Sequence, residues 1–126
     1  MARKKFSTLT EPMFYLLMSL RSGRKCGIDI SDYIARRSTG RVKLGPGTLY
    51  ALLSEFEQEG LIKYVGVEGK RKLYELTPAG NRAYNDELAR LKQCLDDAKE
   101  AEKDEQVRQT HHTLRLRRYS GRAELA

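Results

Sequence analysis

The chain has no tryptophan, only two cysteines and two histidines, three prolines and no run of eighteen apolar residues among its 126. Each shortage removes a class of protein. Without a long apolar run there is no membrane-spanning helix, and the densest apolar cluster, Met13 to Leu20, is short and contains Ser19. The basic start (Arg3, Lys4, Lys5) has the charge of a secretory leader. However, no small-residue cleavage site follows the cluster, and Glu11 and Pro12 interrupt the approach to it, so the expected location is the cytoplasm. Cys26 and Cys94 form no Cys-x-x-Cys pair and no disulfide framework; they are expected as reduced, partly buried thiols. His111 and His112 are adjacent, so a helix would send them in different directions. No acid or thiol stands near them at ligand spacing, so no metal site is expected. The same scarcity of histidine leaves no Ser-His-Asp set to argue for. Acid pairs such as Asp29/Asp32 and Asp96/Asp97 fall on polar helix faces. Neither an enzyme nor a cofactor is expected.

Charge is plentiful and unevenly spread. Residues 1–80 carry a net charge of +6, residues 81–105 of −3 and residues 106–126 of +4. A basic front set apart from an acidic middle suits a nucleic-acid surface and a separate interaction helix. The alternative is a merely solvated basic surface. An anionic membrane is a poorer fit, because no basic amphipathic helix with exposed Trp or Phe is present. With 40% hydrophobic residues the chain has enough for one globular core.

The pattern along the chain predicts three helices, a hairpin and a fourth helix. Thr10-Glu11-Pro12 is a helix opening, followed by Met13, Leu16, Leu17 and Leu20 on one face. A second helix fits about Ile28 to Arg37, with Ile30 and Ile34 inward and Ser38-Thr39-Gly40 as its stop. A short extended piece, Val42 to Leu44, leads to a third helix from Pro46 to about Glu59, with Leu49, Leu52, Leu53 and Phe56 inward. Leu61 to Val67 and Arg71 to Thr77 have strand composition around a Glu68-Gly69 turn. Pro78 opens a last helix expected to end near residue 104, in which Tyr84, Leu88, Leu91, Leu95 and Ala98 recur at spacings of four and three. The expected fold is mostly α with a small β-hairpin: a winged helix-turn-helix domain (1–77), a C-terminal helix (78–104) and a basic polar tail (105–126).

The segment Gly45-Pro46-Gly47-Thr48 decides between two chemistries. A phosphate loop of a nucleotide-hydrolysing enzyme requires a Lys before the Ser/Thr, and here Gly47 precedes Thr48 with no Lys. The spacing also fails G-x-G-x-x-G, and no buried strand of a βαβ unit precedes it. As the mouth of a helix it makes physical sense. Glycines let the backbone approach a phosphate, Pro46 starts the helix, and the free N–H groups favour an anion. Thr48 and Tyr50 lie off the apolar face, with Arg41 and Lys43 just upstream. Glu55, Glu57 and Glu59 would repel a duplex, so contact belongs to the first two turns. A simple tight turn before a capped helix is the alternative.

Leu9-Thr-Glu-Pro-Met-Phe-Tyr15, Gly45-Pro-Gly-Thr-Leu-Tyr50, Glu59-Gly-Leu-Ile62, Lys70-Arg-Lys-Leu-Tyr-Glu-Leu-Thr77 and Gly80 resemble the PadR family of bacterial transcriptional regulators over residues 9–104. The resemblance is to the short branch, with a single C-terminal helix. It implies a homodimeric winged-helix repressor on a two-fold-symmetric operator, and it allows for release by a small-molecule effector of unidentified chemistry. Cys26-Gly27 stands where the family often has an aromatic residue before the glycine. The absence of Trp argues against holding planar drugs between tryptophans, as some small relatives do.

Expected DNA contacts are therefore Arg41, Lys43, Gly45, Pro46, Gly47, Thr48 and Tyr50 at the third helix, and Lys70, Arg71 and Lys72 in the wing. Tyr84, Leu88, Leu91, Leu95 and Ala98 are the expected dimerisation stripe. The partners are double-stranded DNA and a second copy of the chain, with no membrane. Arg115, Arg117, Arg118 and Arg122 form either a phosphate-binding arm or a solubilising tail. The rival function is a winged-helix module that binds another protein and has no specific DNA target.

Overall fold

The computed structural model describes residues 8–125, with side chains described as far as Arg115. Two compact units divide the chain, the first ending at Leu88 and the second beginning at Ala89. The elements are α1 (Glu11–Arg21), β1 (Lys25–Cys26), α2 (Gly27–Arg37), α3 (Pro46–Gln58), β2 (Ile62–Glu68), β3 (Arg71–Leu76) and α4 (Pro78–Leu125). Arg3, Lys4 and Lys5 lie outside the described residues.

The helix openings are those the prolines announce. Thr10 caps α1, its hydroxyl accepting from the Met13 N–H at 3.4 Å, and Pro12 sits in the first turn where a missing donor costs little. Phe14, Leu16, Leu17, Ser19 and Leu20 are buried on α1, Ile30 and Ile34 on α2, and Leu49, Leu53 and Phe56 on α3; together they build the core of the first unit. Buried Ser38 secures the end of α2: its hydroxyl donates to the Ile34 carbonyl at 2.8 Å and accepts from the Val42 N–H at 2.9 Å. The chain then turns through Thr39 (φ 52°) and Gly40 (φ 78°). Val42 to Leu44 forms no strand; Val42 is buried against the core as a single apolar peg.

The sheet has three antiparallel strands in the order β1-β3-β2, one more than the expected hairpin. The extra strand pairs Lys25 with Tyr74 and Cys26 with Leu73. Between β2 and β3 the register runs from Ile62 opposite Leu76 to Glu68 opposite Arg71, with an irregularity between Tyr64 and Gly66. Gly69 (φ 64°) and Lys70 make the turn, one residue later than Glu68-Gly69, so Lys70 stands at the tip of the wing.

Thr77 joins the wing to α4. Its hydroxyl donates to the Gly60 carbonyl at 2.6 Å and accepts from the Gly80 N–H at 3.0 Å, while its own N–H donates to the Leu61 carbonyl at 3.1 Å. Gly80 is required by closeness: a Cβ there would lie 2.0 Å from the Leu61 carbonyl oxygen. The first turns of α4 are fixed to α1 by Tyr84, whose ring stacks on Phe14 at 4.8 Å between centroids and 3° between planes. The Arg21 guanidinium lies 4.7 Å from the Tyr84 ring centre and donates to Asn81 and Asn85, each at 3.0 Å.

The second unit corrects the expected tail. α4 does not end near 104; it continues to Leu125, so the segment expected as a polar tail is helical as far as it is described. No glycine or proline occurs from Asn81 to Ser120, and the composition is rich in Glu, Lys, Arg, Gln and Ala. Every described residue from Ala89 to Arg115 is exposed. Among the described residues no helix is long and apolar enough to cross a membrane.

Candidate nucleic-acid interface

The third helix opens without a side-chain cap. Gly45 is its N-cap and Pro46 its first residue, and Gly45, Pro46, Gly47 and Thr48 are all exposed. Neither Gly45 nor Gly47 has a positive φ, and a Cβ on either would meet nothing within 4 Å. Internal packing and backbone strain therefore give no reason for these glycines. Their bareness leaves the first N–H groups of α3 open to an approaching group.

Tyr50, one turn further on, is 51% exposed. Its ring lies against Gly27 at the start of α2, where a Cβ would sit 2.7 Å from the Tyr50 hydroxyl oxygen. Tyr50 also forms one wall of a cleft of about 330 Å³, completed by Cys26, Gly27, Ile28 and Tyr74 and by the wing residues Lys70, Arg71 and Lys72. The fold thus brings the expected tyrosine of α3 and the three expected wing cations to one opening. Ile28 and Tyr74 escape sequence reading: Ile28 is an apolar residue left half exposed, and Tyr74 reaches the site only because β1 pairs with β3. Burial, with lesser contributions from Glu57, Tyr50 and Tyr64, raises the Tyr74 pKa, so its phenol stays neutral. Lys72 also lies over the exposed Tyr64 ring, its ammonium 6.0 Å from the ring centre.

Arg41 is placed elsewhere. Its guanidinium donates to Glu11 at 2.5 Å and to the Tyr15 hydroxyl at 3.0 Å, both on α1. The hydrogen bond and charge of Glu11 raise its pKa further. Lys43 is exposed. On α2, the Lys25 ammonium and the Arg37 guanidinium each lie 5.4 Å from the Tyr33 ring centre. Burial lowers the Lys25 pKa, and Asp29 partly opposes this.

The expected dimerisation stripe divides. Tyr84 is buried by Phe14 and Leu88 is half-buried against the same core, so both serve the first unit's own packing. Leu91, Leu95 and Ala98 are exposed, with Leu91 at 39% and Leu95 at 55%. Cys26 is buried but Cys94 is exposed, 3.8 Å from an Arg90 guanidinium nitrogen, in place of the expected partly buried thiol. The side chains of Arg117, Arg118 and Arg122 lie outside the described residues. Among the described residues no three His, Cys, Asp or Glu side chains form a metal-sized group.

Three helices with a β-wing, and a third helix whose Tyr50 shares one cleft with the wing cations, define a winged helix-turn-helix. Residues 16–86 match the model of the Transcriptional regulator PadR-like family, and the chain belongs to that family. Among solved structures, a transcriptional regulator from Clostridium thermocellum is similar at 26% identity and a TM-score of 0.61, covering 70% of this chain and 89% of that one. Bacillus subtilis PadR, solved in complex with operator DNA, is similar at 26% identity and a TM-score of 0.55, over 60% of this chain but 45% of its own. A PadR family transcription regulator from Clostridium difficile shares the fold, with 22% identity, a TM-score of 0.57, and coverage of 70% of this chain and 97% of that one. Comparison with curated proteins gives no match.

Proposed function

We propose that this transcriptional regulator is a repressor that binds a two-fold-symmetric operator as a homodimer. The N-terminal turns of α3 would enter the major groove and the wing would rest on the flanking backbone. The observation that carries this reading is the shared cleft: Tyr50 of α3 and Lys70, Arg71 and Lys72 of the wing open onto one face. The division of labour follows from chemistry. Thr48 and Tyr50 present hydroxyls to base edges, whereas the wing cations neutralise phosphates and add affinity without sequence information. The bare glycines at 45 and 47 let a phosphate reach the helix N–H groups. Operator binding by the Bacillus subtilis relative supports the same reading. Leu91, Leu95 and Ala98 are the exposed apolar positions we assign to the dimer, and the site calls for no cofactor. Arg41 takes no part in this assignment, being held by Glu11 and Tyr15.

The test is retention of fragmented host genomic DNA by the purified protein at physiological salt, followed by sequencing. A few promoter fragments carrying a two-fold repeat are expected to be enriched about 10³-fold or more over bulk DNA. Uniform or negligible retention would sink the proposal and favour a protein-binding module.

A further inference from the structure

We infer that Arg41 is a positioning residue: by clasping Glu11 and Tyr15 it fixes the connector that aims α3, so that operator recognition depends on an acid of α1. The inference rests on the operator-binding reading above and adds to it the residues that stand behind the proposed contacts. Glu11 and Tyr15 are four residues apart on α1 and therefore share one face. The Arg41 guanidinium spans them with two different nitrogens, donating to the Glu11 carboxylate at 2.5 Å and to the Tyr15 hydroxyl at 3.0 Å. Its carbon lies 5.9 Å from the Tyr15 ring centre. A planar fork holds two acceptors in fixed geometry, which a lysine ammonium does not.

The clasp matters because of where it sits. α3 opens without a side-chain cap, so its direction is inherited from the connector between Ser38 and Gly45. That connector is fastened to α2 twice. The Val42 N–H donates to the Ser38 hydroxyl at 2.9 Å, and the Ser31 hydroxyl donates to the Leu44 carbonyl at 3.4 Å. Two attachments on one helix leave a direction of swing; the third, from Arg41 to α1, removes it. Both partners of the ion pair are about half exposed, so the pair adds little to stability. Its effect falls on the direction in which Thr48 and Tyr50 point.

Electrostatics alone predicts the opposite of this dependence. Glu11→Gln removes an acid and frees a cation, which should tighten binding to any DNA. A lost clasp should instead loosen binding to operator. The test uses the full chain with the operator recovered from genomic enrichment and a scrambled duplex of equal length. Fluorescence anisotropy across a salt series gives the operator-to-scrambled affinity ratio and the salt slope, and urea denaturation gives the stability of each variant. Glu11→Gln and the charge-keeping Arg41→Lys should each lower the ratio about fivefold with the slope unchanged. Tyr15→Phe, which takes away one of the two bonds, should lower it about twofold. The exchange Glu11→Arg with Arg41→Glu should recover most of the loss, because a carboxylate at position 41 can accept from the new guanidinium and from the Tyr15 hydroxyl. A ratio that is unchanged or higher in Glu11→Gln overturns the inference and leaves operator binding standing. An exchange that recovers nothing, or a ratio that falls only in step with lost stability in urea, overturns it too. A parent protein with no preference for operator removes both readings.

Discussion

The hydroxyl of Tyr50 occupies the space that a side chain at position 27 would fill: a Cβ on Gly27 would come within 2.7 Å of it. The start of α2 and the exposed ring of α3 are thus matched to each other. A packing constraint at residue 27 becomes a constraint on a proposed base-reading side chain.

Gly27→Ala should therefore damage DNA binding more than folding. The clashing atoms belong to the free end of a half-exposed ring, which swings away cheaply, so the stability loss should stay below about 1 kcal/mol. The displaced Tyr50 should lower operator affinity roughly tenfold, as Tyr50→Ala should with the dimer intact. Thermal melts and fluorescence anisotropy on operator and scrambled duplexes separate the two effects. Full affinity in both variants would remove Tyr50 from base recognition.

Replacing Lys70, Arg71 and Lys72 together with Ala should weaken operator and scrambled DNA alike. For each phosphate that the variant no longer neutralises, the slope of log affinity against log salt should fall by about 0.9. An unchanged slope would take the wing out of the interface.

Gly80→Ala has no cheap escape, because the obstructing atom is the backbone oxygen of Leu61. Either α4 shifts off the turn that Thr77 caps or the turn itself deforms. A loss of about 3 kcal/mol is expected, at the upper end for overpacking. Urea denaturation measures it, and a loss under about 1 kcal/mol would show that the joint is slack.

Thr39 holds a left-handed backbone (φ 52°) that a β-branched residue rarely adopts. Thr39→Gly should raise stability by about 0.5–1 kcal/mol, the relieved strain being partly offset by the freer unfolded chain. A lower melting temperature would mean that the Thr39 hydroxyl, which donates to the Ser38 carbonyl at 2.7 Å, matters more than the strain.

Much of this architecture is legible in the sequence because prolines, glycines and leucine spacing encode local geometry. Pro12, Pro46 and Pro78 mark the helix openings, and the buried leucines of α1 and α3 lie on the faces their spacing predicts. What stays hidden depends on pairing between distant residues. β1 is two residues long, too short to show a period, and forms only because β3 offers it an edge. In sequence Arg41 stands just upstream of the third helix as an expected DNA contact, and only the fold brings Glu11 and Tyr15 to it. Tyr84 fits a stripe of spacing four and three whether a partner or its own core covers it; periodicity identifies a face and not its cover. The length of α4 is hidden for the opposite reason. The helix past residue 104 has no sustained apolar period to detect, and meets no glycine or proline before Gly121.

The two hydrogen bonds that Thr77 makes to Gly60 and Leu61 tie the end of the hairpin to its beginning. The hairpin therefore leaves the helical body and returns to it at one place, and β3 is held a second time along its edge by β1. Residues inserted or removed around Gly69 would change how far Lys70, Arg71 and Lys72 reach, while the seat of α4 on Leu61 stayed as it is. The reach of the wing and the placement of the last helix are thus separable properties, and relatives with longer or shorter hairpins could address differently spaced phosphates from the same body.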